Sequence, residues 1–440
     1  MGYIRVPAYL SIPLWLFSHA DAQARYDLLL QGGHVIDPRN GISAVRDIAV
    51  RGGKIAAVAP HLAASDAIKT VSAAGLYVTP GLVDMHEHVY AGTGERDSYA
   101  GDNSVYPDEF SFRSGITTVA DAGCSGWRNF EDFKQRIIDR AKTRVFAFLN
   151  IVGNGMRGPK FENDLTDMQA APAADMAKRY KGLIVGIKLA HYAGPGWTAV
   201  ERAVEAGAMA GIPVMVDYGP ARPERPLYDL LTKKLRPGDV YTHSYSGVRH
   251  ELTDDGKVNP GMIEGRNRGV IFDVGHGGGS FAWRVAVPAV RQGFFPDSIS
   301  TDLHVGSMNT GMKDMLNVMS KFLALGLSLD DVILRSTWNP ARQIHHEELG
   351  NLSVGSPADV AALRLETGRF GFTDMYGARL DGSRKLICEM TVHDGRVVYD
   401  LNGISRPEWT TLPPNYTEIG DPAWDALNPA PPRLRMAGHK

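Results

Sequence analysis

Between Leu82 and Asp302 the chain alternates strand-like apolar runs with amphipathic helical stretches, and the runs end in residues that bind metal or move protons. Eight strands begin near Leu82, Thr117, Val145, Ile184, Pro213, Val240, Val270 and Ser298. Helical periodicity lies between most of them. Thr198 to Gly211 places Val200, Ala203, Val204 and Ala208 on one face, and Met312 to Leu325 does the same with Met315, Met319, Phe322 and Leu323. The methionines there read as core filling. Strand–helix alternation is the pattern of a parallel α/β sheet. Eight such units make a closed (β/α)8 TIM-like barrel the economical fold, with a doubly wound open sheet as the alternative. At 440 residues the chain has room for a barrel and a second domain, since a barrel takes about 250 residues.

The second domain is expected from both flanks. Tyr26 to Thr79 and Ser353 to Tyr399 hold short strands with glycine turns at Gly32-Gly33, Gly52-Gly53 and Asp394-Gly395. Neither piece alone has enough strands for a stable sheet. The expected organisation is a small β-sandwich from residues 25–81 and 345–400, a barrel over 82–344, and a proline-rich arm over 401–440. Residues 1–24 read as a signal peptide: Arg5, an apolar run from Val6 to Phe17, and a small-x-small site at Ala22-Gln23-Ala24. That leader implies export, to a periplasm. A net charge of −2 gives no argument for nucleic acid or an anionic membrane. Two cysteines, Cys124 and Cys388, cannot build a disulfide framework.

In a barrel the active site lies at the C-terminal strand ends. His86 and His88, with one residue between them, point the same way on a strand and make a ready pair of metal ligands. Lys188 ends the run Ile184-Val185-Gly186-Ile187-Lys188, where a bare ammonium is costly. It is there as one half of an ion pair, as a contact for a substrate anion, or as a carbamate formed with CO₂. Asp217, His243, His276 and Asp302 each end a later run. His276 reads equally as a substrate-orienting or oxyanion-stabilising donor and as a structural histidine. The glycines around it read as close backbone approach, since no Lys-Ser/Thr helix start follows to make a phosphate loop.

These residues, with Pro80-Gly81-Leu82-Val83-Asp84 before the histidines, Gly275-His276-Gly277-Gly278-Gly279 and Ser300-Thr301-Asp302-Leu303-His304, resemble the amidohydrolase superfamily. The likeness is to the binuclear type with a carboxylated lysine, in the dihydroorotase-like amidohydrolase/deacetylase branch. It implies two divalent metal ions, Zn²⁺ foremost, held by His86, His88, a Lys188 carbamate, His243 and Asp302. Asp302 would also be the general acid/base. The branch's usual fifth-strand histidine is here Asp217, which would add a negative charge and suit a harder ion such as Mn²⁺ at the second site. Asp217 is otherwise left to a substrate group or water. Cys124 resembles the bridging cysteine of D-aminoacylases, although packing accounts for a buried cysteine as well.

The implied reaction is hydrolysis of an amide or ester carbonyl by a metal-bridging hydroxide, with Asp302 carrying the proton to the leaving group. Dihydroorotases typically carry an arginine two residues after the second histidine. Here that position is Tyr90, which ranks a linear N-acyl or O-acyl compound above a cyclic amide or lactone. Tyr90, Tyr192 and Trp197 are expected to line an aromatic pocket, or to pack in the core. The partner is a small molecule, not nucleic acid or membrane, and the chain is expected to form a homo-oligomer. A non-catalytic amidohydrolase-like protein is disfavoured because such proteins lack several ligands at once.

Overall fold

The structure is a computed structural model and describes residues 1–2 and 24–416. Most of the expected leader and the last part of the proline-rich arm, residues 417–440, lie outside the described residues. No helix among the described residues is long and apolar enough to cross a membrane.

Seven strands form one curled parallel sheet in chain order: Leu82–Glu87, Ile116–Gly126, Arg144–Asn150, Ile184–Leu189, Val214–Val216, Val240–Tyr241 and Ile271–Phe272. Each starts within a residue of the position read from the apolar runs, and helices such as Thr198–Ala210 and Met315–Ala324 lie between or after them. The eighth expected strand is not a regular one. Residues 298–303 make single parallel bridges to both outer strands' ends, Ser298 to Asp273 and Leu303 to Glu87. Asp302 N–H donates to His86 O at 2.7 Å, and His88 N–H donates to Leu303 O at 2.9 Å. Two features keep this segment from a full ladder. Ser298 and Ser300 turn their hydroxyls to the Asp273 carboxylate at 2.7 Å each, and Asp302 sits at φ 50°, outside the extended region.

Apolar packing brackets the site from two sides. Val119, Leu149, Ile187, Val216 and Tyr241 pack into a core that also holds Ala203, Met315, Met319 and Phe322 of the helices. Val83, Met85, Phe148, Val185, Met215 and Val240 pack instead against Ala341, Ile344 and Leu349.

The two flanking segments meet in one eight-stranded mixed sheet. Strand Tyr26–Asp37 breaks register between Leu30 and Gly33. Its first half pairs with Ala67–Ser72 and its second with Tyr77–Pro80, and Tyr77–Pro80 pairs with Val360–Thr373 from the other flank. Leu28, Val35, Val50, Val78, Val360, Met390 and Val392 fill its core. The hairpin of Val360–Thr373 and Arg379–His393 is longer than its apolar runs suggest and reaches the helix Met315–Ala324, where Leu386 N–H donates to Ser320 Oγ at 3.0 Å.

An ion cluster, buried at Asp359 and His393 and open at Asp394, ties this sheet to the parallel one. Arg144, at the start of the third parallel strand, pairs with Asp359 at 2.5 Å and with Asp394 at 2.9 Å, and His393 lies 3.0 Å from Asp359. Burial pushes the Asp359 carboxyl up, but the His393 hydrogen bond and the Arg144 cation outweigh it and hold it at about 2. A depressed carboxyl stabilises the fold above its unfolded pKa, and that share is lost as pH falls through the folded value. Asp359→Asn should therefore cost about 2 kcal/mol at neutral pH. The gap between variant and wild type, read from urea unfolding, should narrow between about pH 4 and 2.

Candidate active site

His86 and His88 leave the end of the first parallel strand, and their Nε2 atoms meet Asp302 from residues 298–303. His88 Nε2 is 2.7 Å and His86 Nε2 3.5 Å from Asp302 Oδ1. One ligand atom from each of His86, His88 and Asp302 lies within 4.8 Å of the others, which is close enough to share an ion. All three are buried. Burial pushes the Asp302 carboxyl up, yet His86 and His88 overcome it and hold it well below the carboxylate range. Burial, then the Lys188 cation, pushes His86 down to about 3.

The tautomers follow from the partners of the other ring nitrogens. His86 Nδ1 lies 2.9 Å from Thr242 Oγ1, whose hydroxyl donates to Asp273 Oδ2 at 2.8 Å. His243 Nδ1 donates to Gly275 O at 2.6 Å. Both imidazoles therefore turn an Nε2 lone pair inward. His86 Nε2 faces Asp302, and His243 Nε2 faces Asp217 Oδ2 at 3.2 Å. Lone pairs aimed at carboxylate oxygens need a proton or a cation between them. That is the donor set of a metal site, and these residues fit one.

Lys188 ends the fourth parallel strand, fully buried. Its Nζ is 3.2 Å from His86 Nε2 and 3.4 Å from Met215 Sδ. No carboxylate pairs with it among the described residues, so the ion-pair reading of this lysine is not met. Burial lowers its pKa, against the raising pull of Asp217 and Asp302.

Asp217 differs most from what the sequence suggests. Its Oδ1 pairs with the buried Arg249 guanidinium, and its Oδ2 faces His243. Burial pushes Asp217 up, but Arg249 and His243 hold it well below the usual range. Arg249 thus offsets the extra negative charge that an aspartate brings in place of histidine.

The backbone at the site is strained where it turns side chains inward. His191, His243 and Asp302 have φ of 56°, 61° and 50°, a region costly for residues other than glycine. The glycine-rich turn allows close approach. A Cβ on Gly275 would meet Thr242 Oγ1 at 2.3 Å and His243 Nδ1 at 2.8 Å, and one on Gly277 would meet Asp302 Oδ2 at 2.2 Å. Gly277→Ala should displace Asp302 and cut kcat by roughly 10²-fold, with secondary structure intact by circular dichroism.

Several expected residues lie elsewhere. His276 is buried, with Nδ1 2.9 Å from Gly277 O and Nε2 2.6 Å from Lys321 Nζ, and it stacks on Phe281. Neither ring nitrogen is left for a substrate, which favours its structural reading. Tyr90 turns away, donating its hydroxyl to Asp132 at 2.6 Å and packing on Phe133. The chain leaves the strand at Glu87, so period-two alternation no longer aims residue 90. Tyr192 is buried, with its hydroxyl on Pro195 O at 3.1 Å, and Trp197 lies beside Tyr218 and Lys234. Cys124 Sγ sits 3.1 Å from His88 Nδ1, behind the ring face that meets Asp302. No strand-end pattern points to Tyr99, whose ring lies 4.4 Å from His88 and 5.1 Å from His304, nor to His191, Glu162 and Arg249.

With that geometry the likeness to known proteins can be placed. A deacetylase of Brucella anthropi is 34% identical over 345 residues, covering 76% of this chain and 83% of its own. The chain belongs to the amidohydrolase superfamily. The amidohydrolase family model matches residues 283–398. A solved adenine deaminase superposes with a TM-score of 0.77 at 30% identity, covering 86% of this chain and all of the other. A solved dihydroorotase gives 0.73 at 29%, covering 85% and 99%. This amidohydrolase falls in the dihydroorotase-like branch, and it is a metal-dependent hydrolase acting on C–N bonds.

Proposed function

We propose that this amidohydrolase removes an acyl group from a small N-acyl or O-acyl compound. The observation that carries it is the convergence of His86, His88, Asp302 and the unpaired Lys188 in one buried space. In this reading residues 298–303 complete the curled sheet as the eighth element of a barrel. His86, His88 and Asp302 would hold one divalent ion and His243 with Asp217 a second, and Lys188 as a carbamate would add an anionic ligand. The ions, when bound, acidify water and polarise the carbonyl.

The chain's own groups do the rest. Asp302 is anionic at working pH and accepts the proton of the attacking water. His88 Nε2 lies within hydrogen-bond reach of its carboxylate, at 2.7 Å. The Thr242–Asp273 relay fixes the His86 tautomer. Arg249 keeps Asp217 ionised without adding net charge. The deacetylase name of the Brucella relative supports acyl transfer to water. Tyr90 stands where dihydroorotases typically carry an arginine, and its outward turn supports a linear substrate over a cyclic imide. Export, inferred from residues 5–24 alone, would direct the enzyme to an environmental or nutrient compound.

The test is a panel of N-acetyl amino acids, aryl acetates, dihydroorotate, a lactone and adenine, assayed with Zn²⁺ or Mn²⁺ and bicarbonate. Release of acetate from the first two classes supports the reading. Turnover of only the cyclic compounds or adenine overturns it.

A further inference from the structure

Lys321 stands on the helix Met315–Ala324 with no exposed surface, on the element whose Met315, Met319 and Phe322 fill the core. Among the described residues no carboxylate oxygen bonds to it. Burial pushes its ammonium down to about 7, against the raising pull of Asp374 and Asp314. Apolar packing at this position would be met by another methionine, without the cost of burying a charge. The lysine is explained instead by the two acceptors it joins.

The first is His276. Its Nδ1 lies 2.9 Å from Gly277 O. A carbonyl only accepts, so Nδ1 carries the ring proton. Burial, then the Lys321 cation, holds His276 well below the ordinary histidine range, so the ring is neutral and Nε2 accepts from Lys321 Nζ at 2.6 Å. The second acceptor is Gly311 O, also at 2.6 Å. The Phe281 ring, on which His276 stacks, lies 5.6 Å from the same Nζ.

His276 and Gly311 belong to the loops on either side of Asp302. In the first loop Gly277 packs so closely on the Asp302 carboxylate that a Cβ there would collide with Oδ2, and its N–H donates to Thr301 O at 2.8 Å. In the second, Ser307 Oγ donates to Asp302 O at 3.1 Å, and Thr310 Oγ1, next to Gly311, donates to Ser307 O at 3.1 Å. The helix that carries Lys321 is itself anchored on the flanking sheet through Ser320 and Leu386.

We propose that Lys321 is a positioning residue for hydrolysis: by tying His276 and Gly311 to one anchored helix, it fixes the two loops that aim the Asp302 carboxylate. It acts through Asp302 and touches no substrate. This inference rests on the reading of Asp302 as the acid/base group.

The test measures kcat, KM, metal per chain and melting temperature, on the acyl compound turned over fastest, for wild type, Lys321→Met, His276→Asn and their double variant, and for Lys321→Met and His276→Asn in an Asp302→Asn background. Asparagine at 276 keeps a donor for Gly277 O and gives up the reach to Lys321. Each single variant should lower kcat roughly 10- to 100-fold, with KM nearly unchanged. The double variant should fall no further than the worse single one, because both break the same link. In the Asp302→Asn background neither substitution should cost anything more. An equal fall in both backgrounds overturns the proposal, as does a wild-type kcat in Lys321→Met or a kcat that only follows the folded fraction. If Lys321→Met does not fold, His276→Asn in the two backgrounds carries the same comparison. Failure of the underlying reading looks different: Asp302→Asn then keeps the wild-type kcat, and this inference falls with it.

Discussion

Asp302→Asn should lower kcat by about 10²- to 10⁴-fold with the secondary structure intact by circular dichroism. Asparagine matches aspartate in size, and its amide oxygen can still sit beside His88 Nε2, which lies 2.7 Å from Oδ1. What it cannot do is take a proton. If Asp302 served only to hold His88, the amide would suffice and activity would persist. The two histidines keep the wild-type carboxyl well below its ordinary range. Stabilisation of this kind is present above the unfolded pKa and lost as pH falls through the folded one. Wild-type activity should therefore show no loss from protonation of Asp302 between pH 5 and 8. Steady-state kinetics of both proteins across that range check the point.

Lys188→Met is the second large effect. Methionine fills nearly the same space against Met215 Sδ, which the Lys188 amine touches at 3.4 Å. The amine has no acid partner among the described residues, so its burial is a cost to the fold. The variant should be as stable as wild type or slightly more so, by up to about 1–2 kcal/mol. It should nonetheless lose bound metal and at least about 10³-fold in kcat/KM. Wild type, but not the variant, should gain activity from added bicarbonate during metal loading. A structural lysine would give the opposite pairing, with lower stability and activity that follows the folded fraction.

The ligand-type residues were legible because each ends an apolar run, and strand periodicity aims such residues predictably. His86 and His88 show this most plainly: their alternation held to Glu87, where the strand ends. Tyr90 lies three residues beyond that end, and there the inference failed because the rule it used had lapsed. The joining of the flanks was legible from their incomplete strand sets. The reach of the hairpin was not, since Gly368, Gly371 and the charged residues between Arg379 and Lys385 hide the period. Glu162, His191 and Arg249 were hidden for another reason. His191 and Arg249 lie on loops and Glu162 ends the short helix Pro159–Glu162; His191 is 29 residues from Glu162 and Arg249 32 from Asp217, and no periodicity links positions brought together only by folding. Arg249 matters most among them, because Asp217 read alone suggests a more negative centre than the Asp217–Arg249 pair provides.

The central claim is that the buried set around Asp302 holds metal ions, and elemental analysis of metal per chain tests it most directly. Protein purified without chelator and with bicarbonate present should carry two divalent ions per chain, and Lys188→Met should carry fewer. Wild type without metal, and with no activity regained on adding Zn²⁺ or Mn²⁺, would contradict the account.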